Sequence, residues 1–137
     1  MKKTTFQVPL YGVDITLVQA ECKDDALALK KEMKRLCCDQ ESMDTTFNNI
    51  EQGCMNGGDT YRNFAIRKML VIFYPMSSED VQAEVYCHEK RHVEDRIMEW
   101  ACVNDIESAG LLAVFLGTKF YEFWNKVTNK QDEANRI

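Results

Sequence analysis

The sequence predicts one α+β domain, and three observations carry that reading. Apolar and polar residues alternate near the start, one dense apolar run ends at a proline, and two long helical stripes fill the second half. The chain has 137 residues, 45 % of them hydrophobic, which is about the size of a single domain with a substantial core. Residues 1–128 are read as that domain and residues 129–137 as a polar tail that frays.

Phe6 to Val8 and Val13 to Leu17 alternate around Tyr11-Gly12, the period and punctuation of a hairpin. Asp24 then caps a helix whose apolar positions are Ala26, Leu27, Leu29, Met33 and Leu36, with Lys30, Lys31, Lys34 and Arg35 on a solvated face. Asp39 to Asn49 is polar and ambiguous. Asn56-Gly57-Gly58-Asp59 predicts a turn between two extended segments, a second hairpin. Phe64 to Tyr74, rich in β-branched, aromatic and long apolar residues before Pro75, predicts a buried strand. Ser77 with Asp80 resembles a capping box, and a long helix follows from about Ser78 to Val103. Asn104-Asp105 breaks and recaps the chain. Ile106, Ala109, Ala113, Leu116, Phe120, Phe123 and Val127 then repeat at three- and four-residue spacing into a last helix.

Composition excludes several functions. The net charge is −5 and no block of five or six like charges occurs, which argues against nucleic acid as a partner. The longest apolar runs, Met69 to Met76 and Leu111 to Leu116, fall well short of the roughly 20 residues of a bilayer span, so no membrane crossing is expected. Thr4, Thr5, Gln7, Tyr11 and Asp14 interrupt any apolar leader, which points to a cytoplasmic, reducing setting. The six cysteines then read as free thiols, serving as small buried hydrophobes. They contain no C-x-x-C pair, and the motifs for phosphate loops, dinucleotide binding and serine esterases are missing. Cys87 neighbours His88 on one helix and points about 100° away from it, a poor geometry for a cysteine nucleophile and its base.

The two histidines fall at His88-Glu89-Lys90-Arg91-His92, an H-E-x-x-H motif. Residues i and i+4 project from one helical face a single turn apart, so two imidazoles can share one Zn²⁺. Glu89, beside that face, can take a proton from metal-bound water and pass it to a leaving group. A strong strand, a capped helix carrying the motif and a further helix form the layout of zincin-type metallopeptidases. His88-Glu89-x-x-His92 and a downstream helix starting Asn104-Asp105-Ile106-Glu107-Ser108-Ala109 resemble the gluzincins. The chain is also similar to small proteins of gut-bacterial phages and mobile elements that pair the same helix with a D-x-E-x-A helix start.

A catalytic zinc usually takes three protein ligands and a water. The residues after His92 lack the Gly and third His of metzincins. Glu99, seven residues on, lies about 10 Å along the helix, too far to share the ion. Asp95 is nearer and suits a partner that orients a ligand. Glu107 is the preferred third ligand, because chain reversal can bring the first turn of the last helix beside His92 and Leu111 and Val114 suggest an inward-facing line; the gluzincin resemblance implies the same residue. The expected fold is thus a zincin-like α+β domain, a mainly antiparallel sheet packed by an early helix, the motif helix and a glutamate helix. The expected function is zinc-dependent hydrolysis of a peptide or protein substrate, with Glu89 as base. The Phe64 to Tyr74 strand would receive the substrate by edge pairing, and Tyr86, Tyr121 or an arginine would stabilise the oxyanion. The alternative is an inactive interaction protein on the same fold.

Overall fold

Alternation in the first nineteen residues closes into an antiparallel pair, β1 (Lys2–Val8) and β2 (Val13–Gln19), in the computed structural model, which describes residues 1–129. Gly12, at φ +64°, donates its N–H to Val8 O at 3.0 Å and tightens the turn. A short 3₁₀ turn at Lys23–Asp25 leads into α1 (Ala26–Arg35). The polar stretch that follows is α2 (Gln40–Glu51), capped by the Asp39 carboxylate on Ser42 N–H and burying Met43, Thr46 and Ile50. The chain then makes β3 (Gly58–Asn63), β4 (Lys68–Phe73), α3 (Glu79–Ala101) and α4 (Ile106–Thr128).

The sheet runs β1-β2-β4-β3. β1/β2 and β3/β4 are antiparallel and β2/β4 is parallel, so the sheet is mixed. β4 is internal and buried on both faces, which explains its unbroken apolar run. Ile15, Leu17, Met69, Val71 and Phe73 face the cluster shared with α3 and α4. Val18, Leu70, Ile72 and Tyr74 face the opposite cluster, with Leu29 and Met33 of α1 and Met43 and Ile50 of α2. Helices therefore cover both faces.

The second hairpin exists, but its turn differs from the expected one. Asn56 and Gly57 connect α2 to β3, and the β3/β4 reversal falls at residues 64–67, where Arg67 takes φ +52°. Apolar Phe64 and Ile66 masked that turn in the pattern. Ser78, rather than Ser77, caps α3 by accepting from Val81 N–H at 3.2 Å. Ile106, expected in the core stripe, is exposed at the first turn of α4. The expected tail lies, from residue 130 on, outside the described residues. No described helix is long and apolar enough to cross a membrane.

α3 ends on Cys102 in the left-handed region (φ +55°), and Asp105 caps α4 through Ser108 N–H at 2.9 Å. The two helices return antiparallel over one face of the sheet. α3 lies toward β3, where Thr60 meets Glu89, and α4 toward β1, where Lys126 Nζ donates to Lys3 O.

Candidate metal centre

α3 distributes its residues over three directions. Gln82, Tyr86, Glu89, Val93 and Ile97 are buried against the sheet. Ala83, Cys87 and Lys90 face α4. His88 and His92 occupy the remaining, solvent-exposed flank. At 100° per residue the histidines lie about 60–100° from Glu89, on the side away from α4.

Here the motif converges. His88 Nε2 and His92 Nε2 are 3.0 Å apart, with ring planes at 85°. Ligand atoms of His88, Glu89 and His92 all lie within 4.8 Å of one another. Two nitrogens on one tetrahedral zinc, each at 2.0–2.1 Å, stand about 3.3 Å apart, so the pair is nearly set for a shared cation. Glu89 is 4 % exposed, and its Oε2 accepts from Thr60 Oγ1 on β3 at 2.5 Å. Its stem lies on Gly58, where an added Cβ would stand 3.0 Å from Glu89 Cγ. Thr60 and Gly58 are therefore part of the centre, though no local pattern in the sequence links β3 to α3.

The cations inside the motif are neutralised on their own helix. Lys90 Nζ reaches Glu94 Oε1 at 2.5 Å, and Arg91 Nε reaches Asp95 Oδ1 at 3.2 Å. Asp95 is thus engaged by Arg91, while Glu99 pairs with Arg96 at 3.3 Å. These pairs limit the repulsion that Lys90 and Arg91 would otherwise exert on a bound metal.

The structure does not bring Glu107 to the histidines. Among the described residues the converging donor group is His88, Glu89 and His92. Gly117 of α4 lies beside Lys90, so Glu107, ten residues earlier, is displaced by about 15 Å along the helix. An antiparallel return sets the first turn of α4 beside the last turn of α3, not beside its middle. Leu111 and Val114, expected to point inward near Glu107, are 70 % and 71 % exposed.

Three further expectations change. β4 is paired on both sides, so β3 is the edge strand next to the motif helix. Tyr86 is unavailable as an oxyanion donor, because its hydroxyl donates to Gln19 Oε1 inside the core at 2.8 Å, and Tyr121 lies on α4, across from the histidine flank. The six cysteines are free thiols, but none is fully buried: Cys38 and Cys54 are half-buried and the others exposed. Burial raises the Cys38 thiol to about 11, which keeps it protonated and unreactive at neutral pH.

The fold and centre define an α+β domain with a mixed four-stranded sheet and a two-histidine, one-carboxylate donor group on a single helix. Comparison with protein-family models, with curated proteins and with solved structures finds no match.

Proposed function

We propose that this chain is a minimal zincin-like hydrolase that cleaves a peptide or amide bond with the help of zinc. The observation that carries the reading is the convergence of two imidazole nitrogens and a buried carboxylate on one helical turn, with that carboxylate held from the neighbouring strand. Its likeness in motif order to gluzincins and to small proteins of phages and mobile elements supports it. Zinc, when bound, supplies a Lewis acid and an acidified water. His88 and His92 hold the ion through Nε2. Glu89, with Oε2 anchored by Thr60, keeps Oε1 to accept the proton of the attacking water and return it to the departing amine. A peptide or protein substrate in extended form would lie along the free edge of β3, the strand that also carries Thr60.

A second reading is favoured by the exposure of both histidines and by a donor group with only two imidazoles: an interaction protein that keeps the zincin-like architecture without turnover. Glu89→Gln separates the two. The hydrolase reading predicts that cleavage of a peptide library in the presence of zinc falls by at least about a hundredfold while zinc uptake persists. Wild-type protein that takes up zinc yet cleaves nothing in that library supports the interaction reading.

A further inference from the structure

β3 is an end strand of the sheet, and the hydrogen-bond ladder fixes which of its residues face outward. Asp14 N–H donates to Arg67 O at 2.9 Å and Ala20 N–H to Phe73 O at 2.8 Å, so the odd-numbered residues of β4 turn their main-chain groups toward β2. The even-numbered ones turn theirs toward β3, as Tyr74 N–H does just beyond the strand in donating to Gly57 O at 3.0 Å. In the antiparallel register Asp59, Tyr61 and Asn63 take those bonds. Thr60 and Arg62 are left presenting N–H and C=O to the free edge.

The side chains of Thr60 and Arg62 stand on the face that α3 covers. Thr60 pairs with Val71 and Arg62 with Met69, both members of the core under α3 and α4, and Thr60 meets Glu89 there. α3 runs in the direction of β3, since Glu89 lies at Thr60 and Trp100 stacks on Phe64 at 4.9 Å. Arg62, about 7 Å beyond Thr60 along the strand, therefore stands at the outer rim beside the turn after Glu89, which carries His92. The neighbouring guanidiniums are engaged: Arg91 with Asp95, Arg96 with Glu99, and Arg67 over the Trp100 ring at 5.7 Å. Arg62 is exposed and has no ion pair, hydrogen bond or ring partner among the described residues.

We propose that Arg62 selects a carboxylate on the peptide that lies along β3, from an acidic side chain or the chain end, and so determines the preferred class of peptide. This rests on the edge-pairing part of the proposed function. A strand added at the edge bonds the main chain of Thr60 and Arg62, and the side chains it turns toward α3 are two residues apart. One of them lies beside Thr60 and the metal centre. The next meets the Arg62 guanidinium, whose planar fork matches a carboxylate. A lysine or arginine at that place would face a like charge.

Selection from peptide pools tests this on the full chain carrying Glu89→Gln and loaded with zinc, which binds peptide without turning it over. One pool holds random octapeptides blocked at both ends, and a second holds the same peptides with a free carboxyl end. The expected result is Asp and Glu enriched about three- to fivefold at one position of the bound blocked peptides, the size of an exposed ion pair, with the enrichment lost in about 1 M salt. Preference for the second pool without an internal acid would support the same role for Arg62 and assign the carboxylate to the chain end. Arg62→Lys should keep the preference and Arg62→Glu should turn it toward Lys and Arg. The position is exposed at the sheet edge, so both variants should keep the parent thermal midpoint. Bound peptides with no carboxylate preference, a preference that Arg62→Glu leaves unchanged, or no bound peptide at all would overturn the proposal. Cleavage of the same pools by the wild-type chain separates the two claims. Acid-selective binding without cleavage supports the role of Arg62 and removes the hydrolase reading, whereas cleavage with no acidic preference removes the role of Arg62 and leaves the hydrolase reading in place.

Discussion

Gly58→Ala probes how Glu89 is held. The new Cβ would stand 3.0 Å from Glu89 Cγ and 3.0 Å from Ile72 O, a separation that real Cβ atoms rarely show. Ile72 O belongs to β4, the internal strand of the sheet, and cannot retreat without disturbing the β3/β4 ladder. Glu89 must therefore move, and its anchor on Thr60 loosens. Overpacking of this kind costs about 1–3 kcal/mol. With a urea slope of about 2 kcal/mol per molar, the unfolding midpoint should fall by about 0.5–1.5 M. Gly57→Ala is the control: its nearest neighbour would be Tyr74 Cδ2 at 3.9 Å, an ordinary contact, and its midpoint should match that of the wild type. Zinc-dependent cleavage should fall in Gly58→Ala and persist in Gly57→Ala, with zinc uptake kept in both. A Gly58→Ala protein with the wild-type midpoint would refute the packing of Glu89 against β3.

Thr60→Val removes the donor to a buried carboxylate oxygen and should cost about 1–3 kcal/mol in the same urea assay, whereas Thr60→Ser keeps the hydroxyl and should cost far less. A Thr60→Val chain no less stable than Thr60→Ser would contradict the anchoring role of the hydroxyl. For Asp105→Ala the pH dependence is the test. The Ser108 N–H holds the Asp105 carboxyl below its ordinary value of 3.8, so the cap's contribution is complete above that value and is lost as pH falls through the lower folded one. The difference in thermal midpoint between wild type and Asp105→Ala should thus be largest at neutral pH and shrink in acid; a constant gap would contradict it.

Much of the scaffold is legible in local pattern. The first hairpin and the long helices follow from period, proline and caps, because each of those signals acts over a few residues. α2 escapes because Met43 and Ile50 are sparse among polar neighbours, although Asp39 is a usable cap and the seven-residue spacing is helical. The β3/β4 turn escapes because Phe64 and Ile66 look like strand. Of the centre, the histidine pair is legible because i and i+4 are fixed by one helix. Thr60 and Gly58 are not, since their role depends on which strand α3 lies over. Glu107 shows the same limit: its helix returns as expected, but the axial offset between α3 and α4 is a property of the packed pair. Leu111, Val114 and Ile106 carry helical period yet face outward, because period alone does not say which of two apolar faces meets the sheet.

The central claim is that His88 and His92, with Glu89 beside them, hold a zinc ion. Elemental analysis of untagged protein, followed by calorimetric zinc titration of the stripped chain, tests it directly. The account predicts one zinc per chain, lost in His88→Ala and in His92→Ala and retained in Glu107→Ala, because Glu107 sits about 15 Å further along the helix pair. A folded wild-type chain that takes up no zinc, or uptake that survives loss of either histidine, would contradict it.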